Sequence, residues 1–150
     1  EPFSSAVPMD RINPLIMKNR DEILSREEAL SALGLDGAGK VALYSFSAYE
    51  EDYDRYLEKY SYLGKEYRLF YSSTVRGGLF PIIDYFNAFD LLVCGAGYNQ
   101  VWEANYFRKK AHFEALDVQY SDQRRRIRAS ESFTFVENGA DQLAGIIIDS

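Results

Sequence analysis

Asp90-Leu91-Leu92-Val93-Cys94-Gly95-Ala96-Gly97-Tyr98-Asn99-Gln100-Val101-Trp102-Glu103 passes from apolar to glycine-rich to helix-forming sequence within one short stretch. The apolar run has the length of a buried strand, and the two glycines mark a tight turn of the kind that calls for positive φ. The helix that follows points its first amides at whatever anion sits over the turn. Glu103, one or two turns further on, then stands beside that anion as a hydrogen-bond acceptor, with Asn99 in the first turn. Such a unit can hold a nucleotide by its phosphates and its ribose. A two-glycine turn alone is common in α/β proteins, and Glu103 alone would read as an exposed helix residue.

Outward from this unit, strands and helices alternate. Ser25-Arg26-Glu27-Glu28 is a capping box, opening a helix that Gly34 stops. Val41 to Ser47 reads as a strand. Tyr49, Tyr53, Tyr56, Leu57 and Tyr60 recur at helical spacing as a packing stripe, ended by Gly64. Tyr67–Tyr71 reads as a second strand, Gly77-Gly78 as a loop, and Leu79–Ile83 as a short strand or bend. A short helix over 84–89 leads into Leu91–Cys94. Beyond the helix at 98–107, Ala111–Leu116 and Phe133–Val136 read as extended, and 122–129 and 140–148 as helical. The pattern predicts an α/β domain: a Rossmann-like, doubly wound parallel sheet of about six strands with helices on both faces. Ligands of such sheets sit at the carboxyl ends of the strands. Ser45-Phe46-Ser47, the Gly95–Gly97 turn and the loop around Tyr120-Ser121-Asp122 all fall there.

The chain is 150 residues long with net charge −6, which makes a duplex nucleic acid a poor partner. Its basic cluster, Arg124-Arg125-Arg126 with Arg128, reads as a solvated helix face or a local anion site. The single cysteine, Cys94, lies in the apolar run as a small buried hydrophobe, and one Cys with one His makes zinc improbable. His112 reads as a buried or half-buried structural histidine within a strand. No apolar stretch reaches the roughly 20 residues that span a bilayer. Pro2, Pro8 and Pro14 interrupt residues 1–20, which read as an apolar tether lying across this domain or a neighbour.

The segment from Asp90 to Glu103 resembles the signature of the carboxyl-terminal, donor-binding domain of GT-B glycosyltransferases. The nearest likeness is to the family 28 type, which includes the bacterial cell-wall N-acetylglucosamine transferase. Tyr85 to Asp90 resembles the family's short helix before that strand. Asp122-Gln123 and Arg128-Ala129 resemble its polar pair and following dipeptide, and Asn13 to Leu35 its interdomain linker and first helix. The resemblance covers roughly residues 13–149. It implies a linker over 1–22, a nucleotide-sugar donor-binding domain over 23–150, and a cytoplasmic enzyme, membrane-associated only through its other half. It also implies a UDP-sugar as ligand, hexosyl transfer to an acceptor held by an amino-terminal domain or partner subunit, no separate cofactor and no metal. By position, Glu103 would hold the ribose and Gly95, Gly97, Tyr98 and Asn99 the diphosphate. Asp122 and Gln123 would meet the sugar, with Arg124 or Arg125 near the leaving diphosphate.

The chain departs from the family pattern in three places. Its first strand runs into Ser45-Phe46-Ser47-Ala48-Tyr49, so the hydroxyls of Ser45 and Ser47 stand where relatives use glycine amides. No prolines flank Ala111–Leu116. Four residues separate Gln123 from Arg128. These departures point to a different donor or to a binding function without catalysis, a non-catalytic interaction or regulatory module; half of a nucleotide-sugar epimerase, which shares the architecture, is a third reading.

Overall fold

The structure, a computed structural model, describes residues 11–46, 50–73, 76–116 and 122–149. The chain opens into α1 (Arg26–Ala32), which begins with the capping box: Ser25 Oγ accepts from the Glu28 amide at 3.3 Å, and the Glu28 carboxylate accepts from the Ser25 amide at 3.0 Å. Gly34, at φ +65°, turns the chain out of the helix in a conformation that L side chains rarely adopt. β1 (Val41–Ser45) and α2 (Glu50–Lys59) follow. On α2, Tyr53 and Tyr56 turn inward, and Tyr56 stacks on Phe46 with ring centroids 4.9 Å apart. Tyr49 lies outside the described residues. Gly64 falls inside a separate 3-10 turn, Ser61–Lys65, rather than at the end of α2.

β2 (Arg68–Ser72), β3 (Leu91–Gly95) and β4 (Lys110–Glu114) complete a parallel sheet with strand order β2-β1-β3-β4. The central strands β1 and β3 are buried along almost their whole length, as expected of parallel strands covered on both faces. Their side chains alternate between two cores. Val41, Leu43, Leu92 and Cys94 pack with α1, the 3-10 turn Ile82–Ala88 and α3 (Tyr98–Tyr106). Ala42, Tyr44, Leu91 and Val93 pack with the tyrosines of α2. Helices therefore cover both faces, and the α/β arrangement fits a Rossmann-like domain.

The sheet has four strands among the described residues, not about six. Leu79–Ile83 does not form a strand: Pro81 lacks an amide donor, and the chain turns into the 3-10 segment instead. Phe133–Val136 joins no ladder. Its rings go into packing, with Phe133 and Phe135 set edge-on to Trp102 at 5.3 and 6.3 Å. His112 is exposed rather than buried, on β4, the last strand of the sheet among the described residues; its ring stacks on Tyr60 at 5.7 Å.

α4 (Gln123–Ser132) packs beside α3, and α5 (Gly139–Asp149) ends the described chain. Residues 13–20 lie across their own domain. Asn138, buried ahead of α5, both accepts from the Ile16 amide and donates to its carbonyl, each at 3.0 Å. Asn13 donates to Gln142 Oε1 at 2.7 Å. A Cβ at Gly139 would come within 1.9 Å of the Asn13 carbonyl oxygen, so this close approach requires glycine.

Candidate functional site

A cavity of about 760 Å³ opens at the carboxyl ends of β1, β2 and β3. Strand order places it at the switch point: the connection from β1 leads outward to β2, and the chain then returns to the other side of β1 as β3. Ser45 ends β1, Ser72 ends β2, and Gly97 with Tyr98, Asn99 and Gln100 starts α3; all line the cavity. The opposite wall is the segment from Gly77 to Ile83, mostly apolar, with Phe80 89 % exposed at the mouth.

Glu103 lines the same cavity from the second turn of α3 and is only 8 % exposed. Helical spacing puts it on one face with Asn99 and Gln100. Its carboxylate accepts no hydrogen bond from a described residue. Burial pushes its pKa up to about 7, and the neighbouring Cys94 thiol is pushed up to about 12, by burial first and by the Glu103 charge second. An unpaired buried carboxylate is costly, and is found where a ligand or a proton completes it.

α3 starts without help from a side chain. Gly97 is the N-cap, at φ −61° and ψ 160°, and offers no capping oxygen. The orphan amides of the first turn are thus left to whatever the cavity holds. The positive φ expected at this turn is absent at both Gly95 and Gly97. What constrains Gly97 is proximity: a Cβ there would sit 3.0 Å from Gln100 Oε1, while Gln100 Nε2 donates to the Ser45 carbonyl at 3.0 Å. Gln100 thereby ties the start of α3 to the end of β1.

The other expected residues lie elsewhere. Asp122 caps α4, accepting from the Arg125 amide at 2.9 Å, and is exposed. Gln123 is buried, with its Oε1 accepting from the Leu116 amide at 2.8 Å. Arg124 is exposed, and none of the three lines the cavity. Ser47 lies outside the described residues, as do Tyr120 and Ser121. Among the arginines, Arg126 is the one that reaches the turn: it donates to the Ala96 carbonyl at 2.9 Å, with its guanidinium carbon 5.8 Å from the Tyr98 ring centroid.

Comparison with protein-family models, with curated proteins and with solved structures finds no match.

Several lining residues escaped the sequence reading. Ser72 and Ser73 are buried at the end of β2, where Ser72 Oγ accepts from the Leu79 amide at 3.2 Å. Gly78 packs so closely on them that a Cβ would lie 2.4 Å from Ser72 Oγ and 2.7 Å from the Ser73 amide nitrogen. Polar residues at a strand's carboxyl end, the feature that marks Ser45, are equally present in Ser72-Ser73 followed by Gly77-Gly78. Met17 reaches the cavity from the segment clasped to α5, and no local pattern marks it. Among the described residues there is no group of three or more His, Cys, Asp or Glu placed to hold a metal, and no helix long and apolar enough to cross a membrane.

Proposed function

We propose that this chain binds a nucleoside diphosphate sugar, UDP-linked by the resemblance of Asp90–Glu103, and serves as the donor-binding half of a GT-B glycosyltransferase. One observation carries the reading: Glu103, only 8 % exposed and with no hydrogen-bond partner for its carboxylate among the described residues, shares a cavity with the uncapped start of α3 at the carboxyl end of a parallel sheet. The helix start receives the phosphates, its amides and dipole opposing the charge that grows on the diphosphate as the sugar departs. Glu103, ionised, accepts from the ribose hydroxyls. The apolar wall from Leu79 to Ile83 offers a surface for the flat face of a base. The acceptor and the group that activates it come from an amino-terminal domain or partner subunit.

A second reading has its own support. Asp122 is engaged in capping α4 and Gln123 in holding the Leu116 amide, so the residues expected to meet the sugar are occupied elsewhere. A module that binds nucleotide without transferring a sugar fits that geometry.

Calorimetric or NMR titration with UDP, UDP-N-acetylglucosamine, GDP and ADP tests the proposal. Selective UDP binding that moves the resonances of residues 95–103 is the expected result. Tighter binding of the sugar nucleotide than of UDP favours the transferase; equal binding favours the second reading. Absence of binding to all four at millimolar concentration overturns both.

A further inference from the structure

Arg124, Arg125 and Arg128 take no part in the cavity at the switch point, yet the charge around them is uneven. Residues 105–131 hold seven of the chain's 17 Lys and Arg against four of its 23 Asp and Glu, a net +3 within a chain of −6. A separate groove of about 470 Å³ lies there, between β4, the carboxyl end of α3 and α4. Asn105 Nδ2 donates to the carbonyls of Ser130 and Phe133, at 2.6 and 3.0 Å, so α4 is fastened to α3 and the groove is formed in advance. Arg124, Ile127, Arg128 and Glu131 follow the spacing of one helix face, and Ile127 and Glu131 of that face line the groove. Arg108 lines it from the end of α3. The guanidinium groups of Arg108, Arg124 and Arg128 are exposed and enter no ion pair or hydrogen bond among the described residues. Nearby acids are engaged: Glu114 with Lys59 and Tyr60, and Asp122 in capping α4. Arg108 is also held at φ 52°, just past the C-cap of α3, where glycine is the usual occupant. A helix end favours a cation there, but Lys109 and Lys110 supply that charge without positive φ. An arginine where glycine would sit at less cost is accounted for by what its side chain meets.

We propose that the groove between β4, the end of α3 and α4 binds a phosphate monoester, carried by a free phosphate compound or by the headgroup of an anionic lipid. Unpaired like charges on two walls of a groove repel one another, and an anion between them reverses that sign. Guanidinium forks match phosphate oxygens. Three guanidinium groups set against the one carboxylate of Glu131 leave an excess of two positive charges, which suits a phosphate monoester better than a carboxylate. The inference goes beyond the nucleotide reading and does not rest on it, because Glu103 and the start of α3 line the other cavity.

The test is NMR titration of the full chain with inorganic phosphate, and with vesicles of phosphatidylcholine alone or mixed with phosphatidic acid. Inorganic phosphate is expected to move the amide resonances of residues 105–112 and 127–131. A response to phosphate and to neither vesicle assigns a free phosphate compound; a response to the vesicles that contain phosphatidic acid assigns the lipid headgroup. Arg108→Gly removes the charge and suits the positive φ, so it should fold as well as wild type and bind about fivefold or more weakly, as for loss of a charge-assisted contact. Arg124→Gln and Arg128→Gln, at the rim, should each cost about threefold, and Glu131→Gln should tighten binding about twofold. No shift at residues 105–131 with either probe, the same affinity in wild type and Arg108→Gly, or equal shifts with sodium chloride at matched ionic strength overturns the proposal.

Discussion

Replacing Glu103 by Gln removes one titration while keeping the side chain's volume. Burial moves the Glu103 pKa from 4.5 to about 7 in the folded chain, a displacement worth about 3 kcal/mol. Below pH 4.5 both folded and unfolded chains carry the proton, and the contribution of Glu103 to stability is fully present. Between 4.5 and about 7 the unfolded chain has lost a proton that the folded chain keeps, so stability falls as pH rises. Above 7 both forms are ionised and the loss is complete. Urea unfolding across this range should show wild type losing about 3 kcal/mol relative to Glu103→Gln. The variant is the more stable protein at the alkaline end. Binding has the opposite sign, because the ionised carboxylate is the better acceptor. Uridine, which has no phosphate titrating near pH 6, should therefore bind wild type more tightly as pH rises through 7 and bind the variant with no such dependence. Stability profiles that run parallel within about 0.5 kcal/mol would refute a Glu103 carboxylate held in a buried position with no partner among the described residues.

Two further substitutions probe the frame around the cavity. Gly78→Ala drives a methyl into Ser72 Oγ and the Ser73 amide and should cost about 1–3 kcal/mol in thermal or urea unfolding. Gly39→Ala, with open space around it and no positive φ, is the near-neutral control, and equal effects at both positions would contradict the packing described. Asn138→Ala leaves the Ile16 amide and carbonyl buried without partners and should cost about 2–4 kcal/mol; the Ile16 amide should then exchange with solvent faster, and unchanged protection there would count against the clasp.

What the sequence disclosed depended on how local the signal was. Ser25 and Glu28 announce α1 because both partners of the capping box lie within one turn. Val41–Ser45 and Leu91–Gly95 could be found because strands buried on both faces are continuous apolar runs. On β4 the strand is legible but the exposure of His112 is not: the residue looks buried in a one-dimensional string, and only the strand order reveals that β4 ends the sheet among the described residues. Phe133 and Phe135 alternate like a strand, yet their rings answer to Trp102. At the site, Glu103, Asn99 and Gly97 belong to one strand–turn–helix unit and line one cavity. Arg126 could not be distinguished from Arg124 and Arg125 by composition, because helix rotation alone decides which of three successive arginines faces the turn. Ser72 and Met17 reach the cavity through the sheet order and through the clasp, both contacts between segments distant in sequence.

The clasp between residues 13–19 and Asn138 has a kinetic meaning as well. β1 meets the Asp90 turn across 49 residues, whereas Ile16 meets Asn138 across 122. Closing the longer loop costs more chain entropy and rewards the chain only once the sheet is in place. The segment should therefore dock late during folding. Met17 of that same segment forms part of the cavity wall, and the Leu15 amide holds the Tyr98 hydroxyl at its mouth. Local opening of the chain near its beginning would thus loosen the very start of α3. A molecule seated there stabilises a contact made 122 residues apart in the sequence.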